Sequence, residues 1–185
     1  MRVNQNTGKW GLSLATGMVI LFSLGMIMIP SWALADDEPL PEKSWSAGGA
    51  IGYLANTPDG TAFALNLHAD ANLNQRVSVG PLLQLGFTGD LTLVGFSGQG
   101  KYTIPVSETD NRLKVVFQGG IGFVHADPGP SDTSFLIPLG IGMDYQINSQ
   151  LAFTSDFLLN LTDLDHGRGY NDTNVMPSLT FGIRF

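Results

Sequence analysis

From about residue 44 onward the chain alternates between apolar and polar positions. In its last segment Val175, Pro177, Leu179, Phe181, Ile183 and Phe185 take one face, while Met176, Ser178, Thr180, Gly182 and Arg184 take the other. A period of two marks a β-strand with unlike faces. The apolar face is the bulky, aromatic one in segment after segment, and the opposite face carries Gly, Ser, Thr, Asn, Gln and charge. A soluble barrel turns its large apolar residues inward. This pattern turns them outward, as a sheet closed within lipid must.

Eight such segments follow one another. The first sets Trp45, Ile51 and Tyr53 against Ser46, Gly48 and Ala50. The second sets Phe63, Leu65 and Leu67 against Asn66, His68 and Asp70, and the third Val79, Leu83 and Phe87 against Ser78, Leu82 and Gln84. In the fourth Val94, Phe96 and Tyr102 oppose Ser97, Gln99 and Lys101, and in the fifth Val115, Phe117 and Phe123 oppose Lys114, Val116 and Gln118. The sixth runs Phe135 to Ile147 with Gly140, Gly142, Asp144 and Gln146 on its polar face, and the seventh sets Phe153, Phe157 and Leu159 against Thr154, Asp156 and Asn160. An even count lets an antiparallel up-and-down sheet close on itself and removes the open edges that lipid could not satisfy. The pattern therefore predicts an all-β, eight-stranded antiparallel up-and-down transmembrane β-barrel over residues 44–185. Each segment reaches the ~9–11 residues a tilted membrane strand needs.

Turns are expected at Asn56–Gly60 and Thr88–Asp90, with long loops at His125–Ser134 and Thr162–Asn174 and short turns after the second, fourth and sixth strands. Long loops face outward in bacterial barrels, so this spacing places both termini in the periplasm. Trp45, Tyr102, Tyr145 and Phe185 would form one aromatic girdle, and Tyr53, Phe87, Phe123 and Phe135 the other. Inward positions are even-numbered on both the second and third strands, so paired residues there must have an even sum. A three-residue turn at Leu73–Gln75 would set Asp70 opposite Ser78 and His68 opposite Gly80.

The start of the chain reads as an export signal. Arg2 and Lys9 precede an uncharged apolar run from Gly11 to Ile29, then Pro30, the Ala33-Leu34-Ala35 cleavage pattern and an acidic Asp36-Asp37-Glu38. Residues 1–35 are expected to be removed after Ala35, leaving 36–43 as a short periplasmic leader; a retained spanning helix is the other reading of the run. There is no cysteine, hence neither a disulfide nor a lipidated Cys. Removing Arg2 and Lys9 from nine basic residues leaves an acidic chain, with sixteen Asp and Glu. That balance excludes nucleic acid as a partner and argues against a peripheral anchor on anionic lipid.

With the signal, the eight amphipathic strands and the ending Pro177-x-Leu179-x-Phe181-x-Ile183-x-Phe185, the chain resembles the small outer-membrane β-barrel family of Gram-negative bacteria. The resemblance implies a place in the outer membrane among lipid and lipopolysaccharide. It also implies that the barrel-assembly machinery reads the terminal row Leu179, Phe181, Ile183 and Phe185. It implies no single activity, because the family hosts adhesins, solute channels, lipid enzymes and proteins of no known task.

The polar face carries three basic and three acidic residues, Lys101, Lys114 and Arg184 with Asp70, Asp144 and Asp156. Near neutrality favours a charge-paired plug inside a lumen about wide enough for side chains, over a selective passage. Arg184→Ala is then expected to lower stability and to open a small conductance. Leu82, Val116, Val124, Leu158 and Met176 either line an apolar pocket in the outer half or fill it.

A lipid-A deacylase of this form would resemble the chain in size and use a His with a nearby Ser. None of His68, His125 and His166 has a Ser two positions on. A palmitoyl-transfer site would need His125, Asp127 and Ser131, which fall in a stretch softened by Pro128, Gly129 and Pro130. No nucleotide loop, zinc spacing or Ser-centred elbow occurs, so no cofactor and no metal are expected. Asp163-x-Asp165 with Asn171-Asp172 lacks the Gly and closing Glu of a calcium loop, although divalent bridging to lipopolysaccharide phosphates stays open. The expected function is a non-enzymatic structural protein of the envelope, with passage of small apolar solutes as the alternative.

Overall fold

Alternation on this scale leaves one face of every segment to be covered, and closure covers it. A computed structural model describes residues 44–107, 112–127, 132–164 and 173–185. They form β1 (Trp45–Thr57), β2 (Gly60–Asn72), β3 (Val77–Phe87), β4 (Thr92–Pro105), β5 (Leu113–Asp127), β6 (Asp132–Gln146), β7 (Ala152–Leu164) and β8 (Thr173–Arg184). Each strand pairs antiparallel with the next, and β8 pairs with β1, giving a closed up-and-down barrel. The seam runs from Gly48 opposite Arg184 to Leu54 opposite Ser178. Two further bonds between Ala47 and Phe185 extend it, at 2.8 and 3.2 Å. The signal segment, with Ala33 and Ala35, and the leader 36–43 lie outside the described residues.

The bulky face is outside. Phe96, Phe117, Ile141, Phe157, Leu179 and Phe181 are all exposed, whereas their chain neighbours Ser97, Val116, Gly142, Leu158 and Thr180 are buried. At the end of the barrel away from the termini, Tyr53, Phe63 and Phe87 stand opposite one another across β1, β2 and β3. Phe96, Phe123 and Phe135 do the same across β4, β5 and β6. Trp45, Tyr102, Tyr145 and Phe185 are exposed near the termini end. Two aromatic bands bounding an aliphatic belt are what the two membrane interfaces select.

Three expectations change. The strands run further than the alternation shows, so the far-end connections shrink to 58–59, 88–91, 128–131 and 165–172, against 73–76, 106–112 and 147–151 at the termini end. Beyond the hydrocarbon the outward face need not be apolar, so His125, Asp127 and Asp163 continue the ladder without continuing the pattern. Loop length therefore gives only weak grounds for orientation. Secondly, β1 carries a bulge between Leu54 and Thr57, with Asn56 in the left-handed region at φ 55°. Asn56 thus ends a strand rather than opening a turn. Thirdly, β2 and β3 do pair at an even sum, but His68 faces Leu82 and Asn72 faces Ser78. The three-residue turn is replaced by a wider one, in which Asn74 Oδ1 accepts from the backbone N–H of Arg76 at 2.8 Å and of Val77 at 2.7 Å.

Candidate functional site

The lumen has two storeys. In the half beyond the midpoint Leu54, Leu91, Leu93, Leu136, Leu164 and Met176 pack with Ala62, Ala64, Ala126 and Val124 into one buried apolar cluster. Leu91, Leu93, Leu136, Leu164 and Met176 are each at most 2% exposed. Of the five residues expected to line or fill this half, Val124 and Met176 join the cluster, whereas Leu82, Val116 and Leu158 are buried outside it, Val116 beside the ionic void. The leucines and alanines that complete the plug were not picked out as core. Leu93 and Leu136 sit beside outward Val94 and Phe135, and such apolar pairs blur a period-two pattern.

The termini half is ionic. Lys101 Nζ donates to Asp70 Oδ2 at 2.7 Å, and Arg184 Nη2 to Asp144 Oδ2 at 2.5 Å. Gln99 Nε2 adds a long bond to Asp70 at 3.4 Å, and Gln118 Nε2 donates to Asp156 Oδ1 at 2.9 Å. Each bridge skips a strand: β4 to β2 over β3, β8 to β6 over β7, and β5 to β7 over β6. The skipped strand is small at the crossing. Gly80 lies under the first bridge, where a Cβ would collide with the backbone of Ala69 and Asp70; Ala152 lies under the second, and Gly140 and Gly142 under the third. Inner-face glycines thus let side chains brace the barrel chord-wise. Asp70 is fully buried, so its carboxylate depends on these donors for the hydration it has lost.

Of the six charges read from the sequence, five gather in this layer. Lys101, Asp144, Asp156 and Arg184 border one void of ≈ 10 Å³, at the limit of what a single water needs, and Asp70 pairs with Lys101 beside it. His68 borders the void too, with Nε2 3.7 Å from Asp70 Oδ2, too long for a hydrogen bond. Lys114 stands apart: it faces Asp144 across β5 and β6, yet makes no ion pair with a described residue. It lines instead a vestibule of ≈ 430 Å³ at the termini end, shared with Arg76, Arg184, Ser46 and several amide side chains.

Of the candidate acyl-transfer groups, two lie among the described residues. His125 and Asp127 lie on β5, not in a loop, and His125 Nδ1 is 2.8 Å from Thr133 Oγ1. Ser131, His166, Asp165, Arg168, Asn171 and Asp172 lie outside the described residues. Ser78 borders the same void as His68, but that void has no room for a substrate. Among the described residues no cluster of His, Asp and Glu is arranged to hold a metal ion.

The sequence matches no protein-family model and no curated protein. The structure does find counterparts. It is similar to Neisserial surface protein A, with a TM-score of 0.54 and 16% identity, covering 76% of this chain and 94% of that one. It is also similar to the N-terminal β-barrel domain of Pseudomonas aeruginosa OprF, with a TM-score of 0.51 and 11% identity over 77% and 98% of the two chains. The chain has the fold of the small eight-stranded outer-membrane barrels. At such identities the likeness carries the fold and no particular role.

Proposed function

We propose that this protein is a non-enzymatic structural barrel of the Gram-negative outer membrane, with both termini in the periplasm and a lumen that passes no solute. The carrying observation is that both storeys of the lumen are filled, one by fully buried leucines and the other by braced ion pairs, while the bulky side chains lie outside. A passage for apolar solutes needs apolar space, and in the far half that space is occupied by side chains. An enzyme needs room for a substrate beside its base, and the void that His68 borders has none.

The location draws support from the aromatic bands and from the export signal, which we take to be cleaved after Ala35. An even strand count puts both termini at one rim, and a chain delivered from the periplasm keeps that rim there, since only hairpin tips need cross. The lipid-facing row Leu179, Phe181, Ile183 and Phe185 is the surface we assign to the assembly machinery, and lipid and lipopolysaccharide are the remaining partners. Reconstitution of the refolded protein into planar bilayers and liposomes tests the reading. No conductance above the bare bilayer, and no solute-dependent swelling, are expected. Steady unitary conductance would replace the structural role with transport.

A further inference from the structure

The apolar storey takes a side chain from every strand except β3, which presents Gly86 between Leu54 and Leu93 at that level. Closure of this sector comes from the turn that follows β3. Leu91, in 88–91, is 2% exposed and is the one member of the cluster that stands on no strand. Its turn neighbours Gly89 and Asp90 are exposed. A strand residue is fixed by the ladders on its two sides. Leu91 has neither, because β3 and β4 stop pairing at Phe87 and Thr92.

One threonine holds the turn. Thr88 Oγ1 accepts from Leu91 N–H at 2.9 Å, and Thr88 N–H donates to Leu91 O at 2.9 Å, so the turn closes on itself. The hydroxyl has a single proton to give. Leu91 O stands 3.2 Å from Oγ1 and the Asp59 carboxylate 2.6 Å, so the proton goes to Asp59, at the tip of the β1–β2 hairpin. Among the described residues this is the one hydrogen bond that ties the turn to another hairpin. The β2–β3 ladder has already ended beneath it, at Phe63 and Phe87. A bulky stopper on a short turn, fastened by one charge-assisted bond at the rim, opens at far less cost than a wall of paired strands. We infer that turn 88–91 is a lid on the apolar storey, with Leu91 as its stopper and the Thr88–Asp59 bond as its catch. Opened, it offers small uncharged molecules in the water at the far rim an apolar pocket floored by Leu93 and, a level deeper beside Gly95, by Leu136. An apolar space of this kind stays dry and takes a small apolar guest. Such a pocket binds without conducting, since the ionic storey lies beneath it, so the inference goes beyond the sealing role and does not depend on it.

The chain has no cysteine, so an introduced thiol reports a single position. Leu93→Cys sets one under the lid, and Ser97→Cys sets another further down β4, where Ser97 is 0% exposed. The refolded full barrel in micelles is treated with methyl methanethiosulfonate, which is small and uncharged, and with its charged sulfonatoethyl analogue. The methyl reagent should modify Leu93→Cys faster than the charged one. Adding Asp59→Ala should speed that reaction roughly tenfold, the worth of one hydrogen bond to a charged group. Thr88→Val should do at least as much, and Thr88→Ser, which keeps the hydroxyl, should leave the rate where it was. Asp59→Ala on top of Thr88→Val should add nothing, because both release the same catch. Ser97→Cys should react at one slow rate throughout. Amide exchange gives the same reading with the core intact: Leu91 N–H keeps its acceptor in Asp59→Ala and should exchange roughly tenfold faster, while Ser97 N–H should not change. Equal Leu93→Cys rates with and without Asp59→Ala would make the turn a fixed wall and overturn the inference. Parallel acceleration at Ser97 would replace the lid with loosening of the whole barrel, and a charged reagent as fast as the methyl one would replace it with an open aqueous mouth.

Discussion

Asp70 and Arg184 sit in one ionic layer but should respond differently to substitution. Asp70 is fully buried and, among the described residues, is the one acid bonded to Lys101, whose side chain is 10% exposed. Asp70→Asn would therefore strand an ammonium in the lumen, and losing one partner of a buried pair costs about 3–5 kcal/mol. Arg184 is 21% exposed and opens on the vestibule, so Asp144 could regain some hydration after Arg184→Ala. The loss there should fall toward the lower end, about 3 kcal/mol. Asp163 is exposed on the far rim and its side chain enters no described ion pair, so Asp163→Ala should be silent. Urea unfolding from micelles should rank the three as Asp70→Asn, Arg184→Ala, Asp163→Ala in order of falling effect. Equal midpoints would show that the bridges do not brace the barrel.

At the scale of elements, the clearest local commitment is the bulge that ends β1. Asn56 adopts a left-handed conformation, and its Nδ2 donates to Val175 O at 2.7 Å just where the pairing of β1 with β8 stops. The side chain thus continues the closing seam after the backbone has left it. Asn56→Ala should lose both the bond and the conformational tolerance, which together amount to about 2 kcal/mol. Asn56→Gly keeps the tolerance and should cost about half as much. Equal midpoints for the two variants would assign the whole effect to the hydrogen bond. The same element scale shows what could be read in advance. All eight strands and their faces were legible, because lipid on one side and a tight lumen on the other enforce period two over ten or more residues. Strand ends were not, since the ladder through His125, Asp127 and Asp163 outlasts the lipid that imposes the pattern. The charged residues of the lumen were legible as a set. Their pairing was not, because Asp70 meets Lys101 across an intervening strand, and that contact depends on the stagger of three strands rather than on any local spacing.

Across the whole molecule, the two storeys divide the work of sealing, and this alters what the loss of either should do. Orientation comes first, now that the connections differ little in length. A cysteine at Asp90, in the 88–91 turn, should react with an impermeant label on intact cells. One at Ser149, in the 147–151 turn, should react only after the outer membrane is breached, and the reverse would invert the barrel. Sealing then follows from packing. The sequence alone suggested that removing Arg184 would open a conductance, with the outer half of the lumen either lined or filled by apolar side chains. The apolar storey changes that expectation: Leu93 and Leu136 are 1% and 2% exposed and close the lumen at the other end. A dry apolar constriction bars ions even when a polar one beyond it is loosened, since an ion must shed its hydration to enter. Arg184→Ala alone should thus stay silent in a planar bilayer despite its lower stability. Leu93→Ala with Leu136→Ala should hollow the far storey and still leave the Arg184–Asp144 bridge across the path. Only the triple variant, open at both levels, should show unitary currents. A conducting Arg184→Ala single variant would mean that the leucine cluster is not a seal in the membrane, and the transport reading would then have the better claim on this barrel.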